Sequence, residues 1–244
     1  MLRLALFLVA SLLALGFTSV AAQAQEKKTH LETAELLVKE LRPEHNCYAY
    51  ENLVIKWKGQ DGATSYEAHC DCSGFLTLLF EHVYGYTPET FKAWTGHRRP
   101  LARVYHDEVE AEHGFKRIKK ITEIQPGDIL AVKYLDGVKK DTGHVMIVAE
   151  APRPRDATEP IEPATRQWEV VVIDSSKSGH GPDDTRRKPD KTFYNGVGKG
   201  TIRLYTNSQG EIVGYTWSTL KKSEYFDQQK HHLVVGRLDV GFKP

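Results

Sequence analysis

Cysteine is scarce in this sequence, with three in 244 residues. That is too few for a disulfide-dense scaffold, and an odd number cannot all pair within one chain. Net charge is almost absent as well: 33 Lys and Arg stand against 32 Asp and Glu, leaving +1. Without a basic excess, the composition argues against a generic nucleic-acid or anionic-membrane binder. No internal repeat or low-complexity block divides the chain, so one domain is the simpler count. What is present is apolar matter. The chain is 40% hydrophobic, 27% charged and 10% aromatic, enough for a sizeable core and against wholesale disorder.

The first residues read as a targeting segment rather than as part of the fold. Arg3 precedes an apolar run, Leu4 to Leu15, and small and polar residues then end in Ala22-Gln23-Ala24. A positive charge, a short apolar run and an A-x-A ending are the three parts of a secretory signal. The run is shorter than the roughly 20 residues needed to span a bilayer. Residues 1–24 are therefore expected to be a cleaved signal peptide, and residues 25–244 the mature chain. Removal takes one Arg and no acid, so the mature chain is balanced. It is expected to be secreted or periplasmic, where disulfides are permitted, with no stable membrane insertion after cleavage.

Helices are expected first and strands later. Thr33 to Leu41 reads as a short helix with Leu36, Leu37 and Leu41 on one face, stopped by Pro43. From Cys72 to Tyr84, the residues Phe75, Leu76, Leu79, Phe80 and Val83 repeat at helical spacing, and Gly85 stands where a C-terminal cap belongs. Beyond residue 120 the period becomes two. Ile129–Tyr134, His144–Ala149, Trp168–Ile173, Thr201–Tyr205, Ile212–Trp217 and Leu233–Leu238 read as strands, and residues 175–199 as an exposed loop. Short connections favour antiparallel pairing and an α+β class.

The chemistry is expected at His69-Cys70-Asp71-Cys72-Ser73-Gly74-Phe75. Cys72 falls at the start of the apolar helix, where unpaired N–H groups and the helix dipole favour thiolate. The bland competitor is a small buried hydrophobe. His144 begins one strand and Asp174 ends another. If the strands pair antiparallel with 146 facing 172, then 144 faces 174, and an imidazole and a carboxylate share one sheet face. Cys72 on a helix packed against that face would complete a nucleophile, base and orienter.

Asp71-Cys72-Ser73-Gly74-Phe75, Gln125-Pro126-Gly127-Asp128-Ile129 and Gly143-His144-Val145-Met146-Ile147-Val148, in that order, resemble the NlpC-type, papain-like cysteine peptidases across roughly residues 66–175. The resemblance implies a papain-like α+β domain with N-terminal helices packed on an antiparallel sheet. It also implies Cys72 as nucleophile, His144 as base and then acid, and Asp174 as orienter, with peptidoglycan peptides as the substrate class. Asp71 and Ser73 match substrate-contacting positions, and Tyr66 is the candidate substrate-lining tyrosine, with Tyr48 and Tyr50 as rivals. The third residue in this family is more often His, Asn or Gln, and the usual Tyr-x-Trp-Gly-Gly stretch is missing. No cofactor is implied.

Several other readings compete. An acyltransferase or lipid-ester hydrolase on the same scaffold, or an exported binding module without turnover, would use the same residues. His45, Cys47, His69, Cys70 and Cys72 offer nitrogen and sulfur for zinc, but C-x-C spacing fits known sites poorly. Cys47 could pair with Cys70, leaving Cys72 free, or with Cys72, which would silence the site or make it redox-regulated. His180 is a second imidazole candidate, in a polar loop expected to hold it loosely. Arg98 and Arg99 could grip a carboxylate.

Overall fold

Asp71 starts the helix on which the candidate site depends. Its carboxylate accepts the Gly74 N–H at 2.6 Å, and helix α2, Cys72–Tyr84, ends at Gly85 in the left-handed conformation with φ +73°. These are the bounds that the apolar periodicity implies. The computed structural model describes residues 28–135 and 142–244; the expected signal peptide lies outside them.

Helix α1, His30–Glu40, begins three residues earlier than its apolar pattern suggests, because Thr29 and Glu32 form a capping box. Three short strands lie between α1 and α2: β1 (Asn46–Cys47), β2 (Val54–Lys56) and β3 (Glu67–His69), forming a small sheet in the order β1-β3-β2. Here β1 runs parallel to β3, a departure from an all-antiparallel expectation. Helices α3 (Pro88–Thr95) and α4 (Ala102–Glu110) complete the helical part.

The remaining strands are β4 (Phe115–Ile118), β5 (Ile129–Tyr134), β6 (Gly143–Val148), β7 (Arg153–Arg155), β8 (Arg166–Ser176), β9 (Gly196–Thr206), β10 (Ile212–Thr216), β11 (Tyr225–Asp227) and β12 (His231–Leu238). They form one nine-stranded sheet in the order β11-β10-β9-β8-β6-β5-β12-β4, with β7 beside β8. The chain is thus mixed α/β, and this large sheet is antiparallel throughout.

Alternation divides the large sheet between two cores. Phe75, Leu76, Leu79 and Phe80 of α2 share one with Val145, Ile147, Val171 and Ile173. Met146, Val148, Val170, Val172, Ile202 and Leu204 point to the other. Residues 175–199 are not the open loop that their polarity implies: β8 runs on to Ser176 and β9 starts at Gly196. Between them, residues 177–195 place His180, Asp184 and Arg186 in the interior, each at most 5% exposed. The sequence hides this because a polar residue buried by its partners is not distinguishable from a solvated one by composition.

The register between β6 and β8 differs from expectation. Val148 faces Val172 and Ile147 faces Ile173, a slip of two residues from the pairing of 146 with 172. A slip of two preserves the face of every side chain, so His144 and Asp174 still share one. The face itself is the opposite of that expected. His144 shares a strand face with Met146 and Val148, away from the core that α2 enters.

Candidate active site

Cys72 reaches His144 because the sheet opens between their elements. The β6–β8 ladder covers Ile147↔Ile173 and Val148↔Val172, and toward Gly143 and Ser176 the strands part. Ser175 Oγ donates to the Cys70 carbonyl at 2.6 Å, tying the end of β8 to the residues just before α2. The first turn of α2 is thereby held against the gap. Gly143 has φ +147°, and a Cβ there would meet the Val132 carbonyl oxygen at 1.9 Å. Only glycine lets β5 approach this closely at the residue preceding His144.

His144 Nε2 donates to Asp174 Oδ2 at 2.6 Å, and the ring also hydrogen-bonds the Cys72 side chain. Burial opposes charge on this imidazole, but the negative Cys72 sulfur and the Asp174 hydrogen bond outweigh it and raise its pKa to about 10. Cys72 is 5% exposed, His144 5% and Asp174 0%. The three groups expected to meet therefore do meet.

Asp174 has further partners that local pattern reading undervalues. Its Oδ2 also accepts from His180 Nε2 at 2.9 Å, and Arg186 Nη1 lies 3.0 Å from Oδ1. Burial alone would push the Asp174 carboxyl up; the His180 and Arg186 charges and the two imidazole bonds hold it well below the usual carboxylate range. His180 Nδ1 lies 3.0 Å from the Trp217 carbonyl. A carbonyl and a carboxylate both only accept, so each His180 nitrogen faces an acceptor. Asp184 closes the cluster, accepting from Arg186 Nη2 at 2.7 Å and from the His180 N–H at 2.8 Å.

Space for this cluster comes from β9. In the β8–β9 register Asp174 faces Gly198 and Val172 faces Gly200. A Cβ at Gly198 would meet Arg186 Nε at 2.5 Å, and one at Gly200 would meet Asp184 Oδ2 at 2.4 Å. Gly196, Gly198 and Gly200, alternating opposite the end of β8, were the legible signal that something polar packs there. Trp217 covers both imidazoles, its ring centroid 4.8 Å from His144 and 4.5 Å from His180.

The expected substrate-contacting residues are placed unevenly. Asp71 Oδ1 accepts from Ser73 Oγ and the Gly74 N–H, and its Oδ2 pairs with Arg99. Both Asp71 and Ser73 are buried at the head of α2. Tyr66 packs edge-on against Trp57 and lines a cavity with Trp57, His82 and Leu36, none of which belongs to the Cys72–His144–Asp174 group. Tyr48 and Tyr50 lie together under Lys177, with Tyr50 exposed. Tyr50 also lines a cavity of about 430 Å³ that follows α2 from Gly74 through Leu78 to Glu81, bounded by Arg98 and Arg99. Arg98 itself pairs with Glu89.

All three cysteines are free thiols, and burial pushes the Cys70 thiol far up. The ligand set His45, Cys47, His69, Cys70 and Cys72 does not converge as a metal cluster among the described residues. No described helix is long and apolar enough to cross a membrane.

No solved structure matches the chain. An uncharacterized protein of Acanthamoeba polyphaga mimivirus is 37% identical over 200 residues, covering 79% of this chain and 88% of the relative. The NlpC/P60 family model matches residues 55–166, a span that contains Cys72 and His144 and ends before Asp174. The chain belongs to the NlpC/P60 family, a family of cysteine peptidases and amidases.

Proposed function

We propose that this protein is an exported cysteine hydrolase that cleaves an amide bond in peptides, with peptidoglycan peptides as the substrate class. The observation that carries the reading is the His144 ring, bonded to the Cys72 sulfur on one side and to Asp174 Oδ2 at 2.6 Å on the other. A thiolate at a helix start, beside an imidazolium, is the activated form of a cysteine nucleophile. Cys72 attacks the amide carbonyl, and the N–H groups of the first turn of α2 face the oxyanion. Protonated His144 donates to the leaving amine, then takes a proton from water as that water attacks the thioester carbonyl; expulsion of the Cys72 thiolate releases the acid and regenerates the thiolate–imidazolium pair. Asp174 holds the imidazole in orientation; His180 and Arg186 hold Asp174.

The substrate class rests on family membership and on the groove beside α2. That cavity begins at Gly74, two residues past Cys72, and carries charges of both signs from Glu51, Glu81, Arg98 and Arg99. Such a lining suits an extended peptide bearing its own amino and carboxylate groups. The test is incubation with purified peptidoglycan fragments, followed by mass spectrometry. New products that add one water across an amide are expected from the wild type. None should come from Cys72→Ala, whose melting temperature should stay close to the parent. Equal turnover by a clean Cys72→Ala preparation, or intact fragments throughout, overturns the proposal.

A further inference from the structure

A second cluster of ligating side chains lies where α4 crosses β12. His106 Nε2 is 2.8 Å from His232 Nδ1, and Glu110 stands one helical turn beyond His106. The ligand atoms of these three residues all fall within 4.8 Å of one another. His106 is buried, His232 half-buried and Glu110 exposed, so the group opens to solvent on one side. We propose that His106, Glu110 and His232 bind one divalent transition-metal ion, of which zinc is the best fit, with solvent completing its coordination.

Three features separate this from a hydrogen bond between two histidines. His106 Nδ1 donates to Asp107 Oδ1 at 2.9 Å, so the Nε2 lone pair points at His232. This carboxylate–imidazole bond is the usual support of a metal-bound histidine. Asp107 is in turn fixed by Lys133 Nζ at 2.8 and 3.1 Å. Next, His106 and Glu110 are four apart on one helix and so share a face, while His232 comes from a strand 126 residues away in sequence from His106. Two imidazoles and one carboxylate with an open position form a known zinc donor set. Finally, the spacing is close to that of a bound site. Ligands about 2.0–2.1 Å from a tetrahedral ion sit roughly 3.3 Å apart, so the 2.8 Å imidazole pair needs to open by about half an ångström. The His232 proton moves from Nδ1 to Nε2 to free the lone pair. Arg117 Nη1 holds Glu110 Oε1 at 2.6 Å, leaving Oε2 for the ion.

The site is close to the candidate active site without sharing a residue with it. His232 faces Lys133 in the β12–β5 register, and Lys133 faces Gly143, the neighbour of His144. A bound ion would therefore clamp α4 to the end of the sheet that carries His144.

Cobalt(II) titration of the full chain, with its thiols first blocked by iodoacetamide, tests this. One cobalt per chain is expected, with visible bands of a nitrogen–oxygen site. His232→Ala and His106→Ala should lower the affinity at least 100-fold, and Asp107→Asn by about 10–100-fold. Glu110→Gln, at an exposed position, is the variant least able to disturb folding and should also weaken binding. Added zinc should raise the melting temperature of the wild type but not of His232→Ala. Absence of stoichiometric binding at micromolar cobalt, binding that survives both histidine substitutions, or binding abolished by thiol blocking alone overturns the proposal.

Discussion

At the scale of single residues, the state of Asp174 decides whether His144 can work. A carboxylate with no exposure is costly unless every lone pair is matched. Here two imidazoles hydrogen-bond Oδ2, and the Arg186 guanidinium lies 3.0 Å from Oδ1 as an ion pair. Removing one donor leaves charge buried and underpaired, a change that typically costs about 3–5 kcal/mol. His180→Ala should therefore lower the melting temperature, and lower kcat for peptide hydrolysis far more than it raises KM. His180→Gln retains an N–H that can reach Asp174 and should restore part of kcat, with the pH profile shifted from that of the parent. A His180→Ala enzyme with unchanged kcat and pH profile would show the ring to be filler. Cys72 and His144 stand at or next to the start of an element, and Asp174 shares a sheet face with His144 by strand alternation, which made all three candidates in the sequence. His180 could not be ranked, because its value lies in a partner, Asp174, and in a carbonyl, Trp217, that only folding brings near. Tyr66 is a case where sequence proximity and placement differ. The family resemblance offered it as a substrate-lining tyrosine, and just before β3 its ring packs edge-on against Trp57.

Elements were more legible than their mutual placement. The bounds of α2 follow from apolar period, an Asp cap and a Gly stop, all local signals. The β9–β10 hairpin around 207–210 follows from turn chemistry. Register and facing are non-local, and there the pattern gives parity but not identity. The two-residue slip between β6 and β8 kept His144 and Asp174 on one face, while the choice of face was set by which core α2 entered. Gly143 ties these levels together, since its φ of +147° and the approach of the Val132 carbonyl fix the start of β6. Gly143→Ala should force β5 and β6 apart at this end, costing about 1–3 kcal/mol. It should also move His144 relative to Cys72. The expected result is a lower melting temperature with a larger proportional loss of peptide hydrolysis, checked by thermal unfolding and initial rates on the same preparation. Full activity at reduced stability would mean that the strand start does not position the imidazole.

Over the whole molecule, the same ionisations set how stability varies with pH. His144 is raised from 6.5 to about 10 in the folded chain. Its contribution is complete below pH 6.5 and is lost as pH climbs through about 10, because the unfolded imidazole has already released its proton. His30 works in the other direction. Burial lowers its pKa, and its neutral ring is already satisfied, taking the Tyr84 hydroxyl proton on Nδ1 at 2.6 Å and donating from Nε2 to the Gly127 carbonyl at 2.7 Å. Its contribution is present above pH 6.5 and fades as acid forces a second proton onto the ring. Asp174, held low, adds a further loss only below about pH 3.8. Stability is therefore expected to peak near pH 6.5 and fall on both sides. The basic limb belongs to the Cys72–His144 pair, so Cys72→Ala, which removes the negative partner, should flatten the decline between pH 7 and 10 and leave the acid limb unchanged. Urea unfolding across that range reads both limbs. If parent and variant decline in parallel above pH 7, the imidazole is not charged by the thiolate, and the activated-nucleophile reading of Cys72 loses its electrostatic basis.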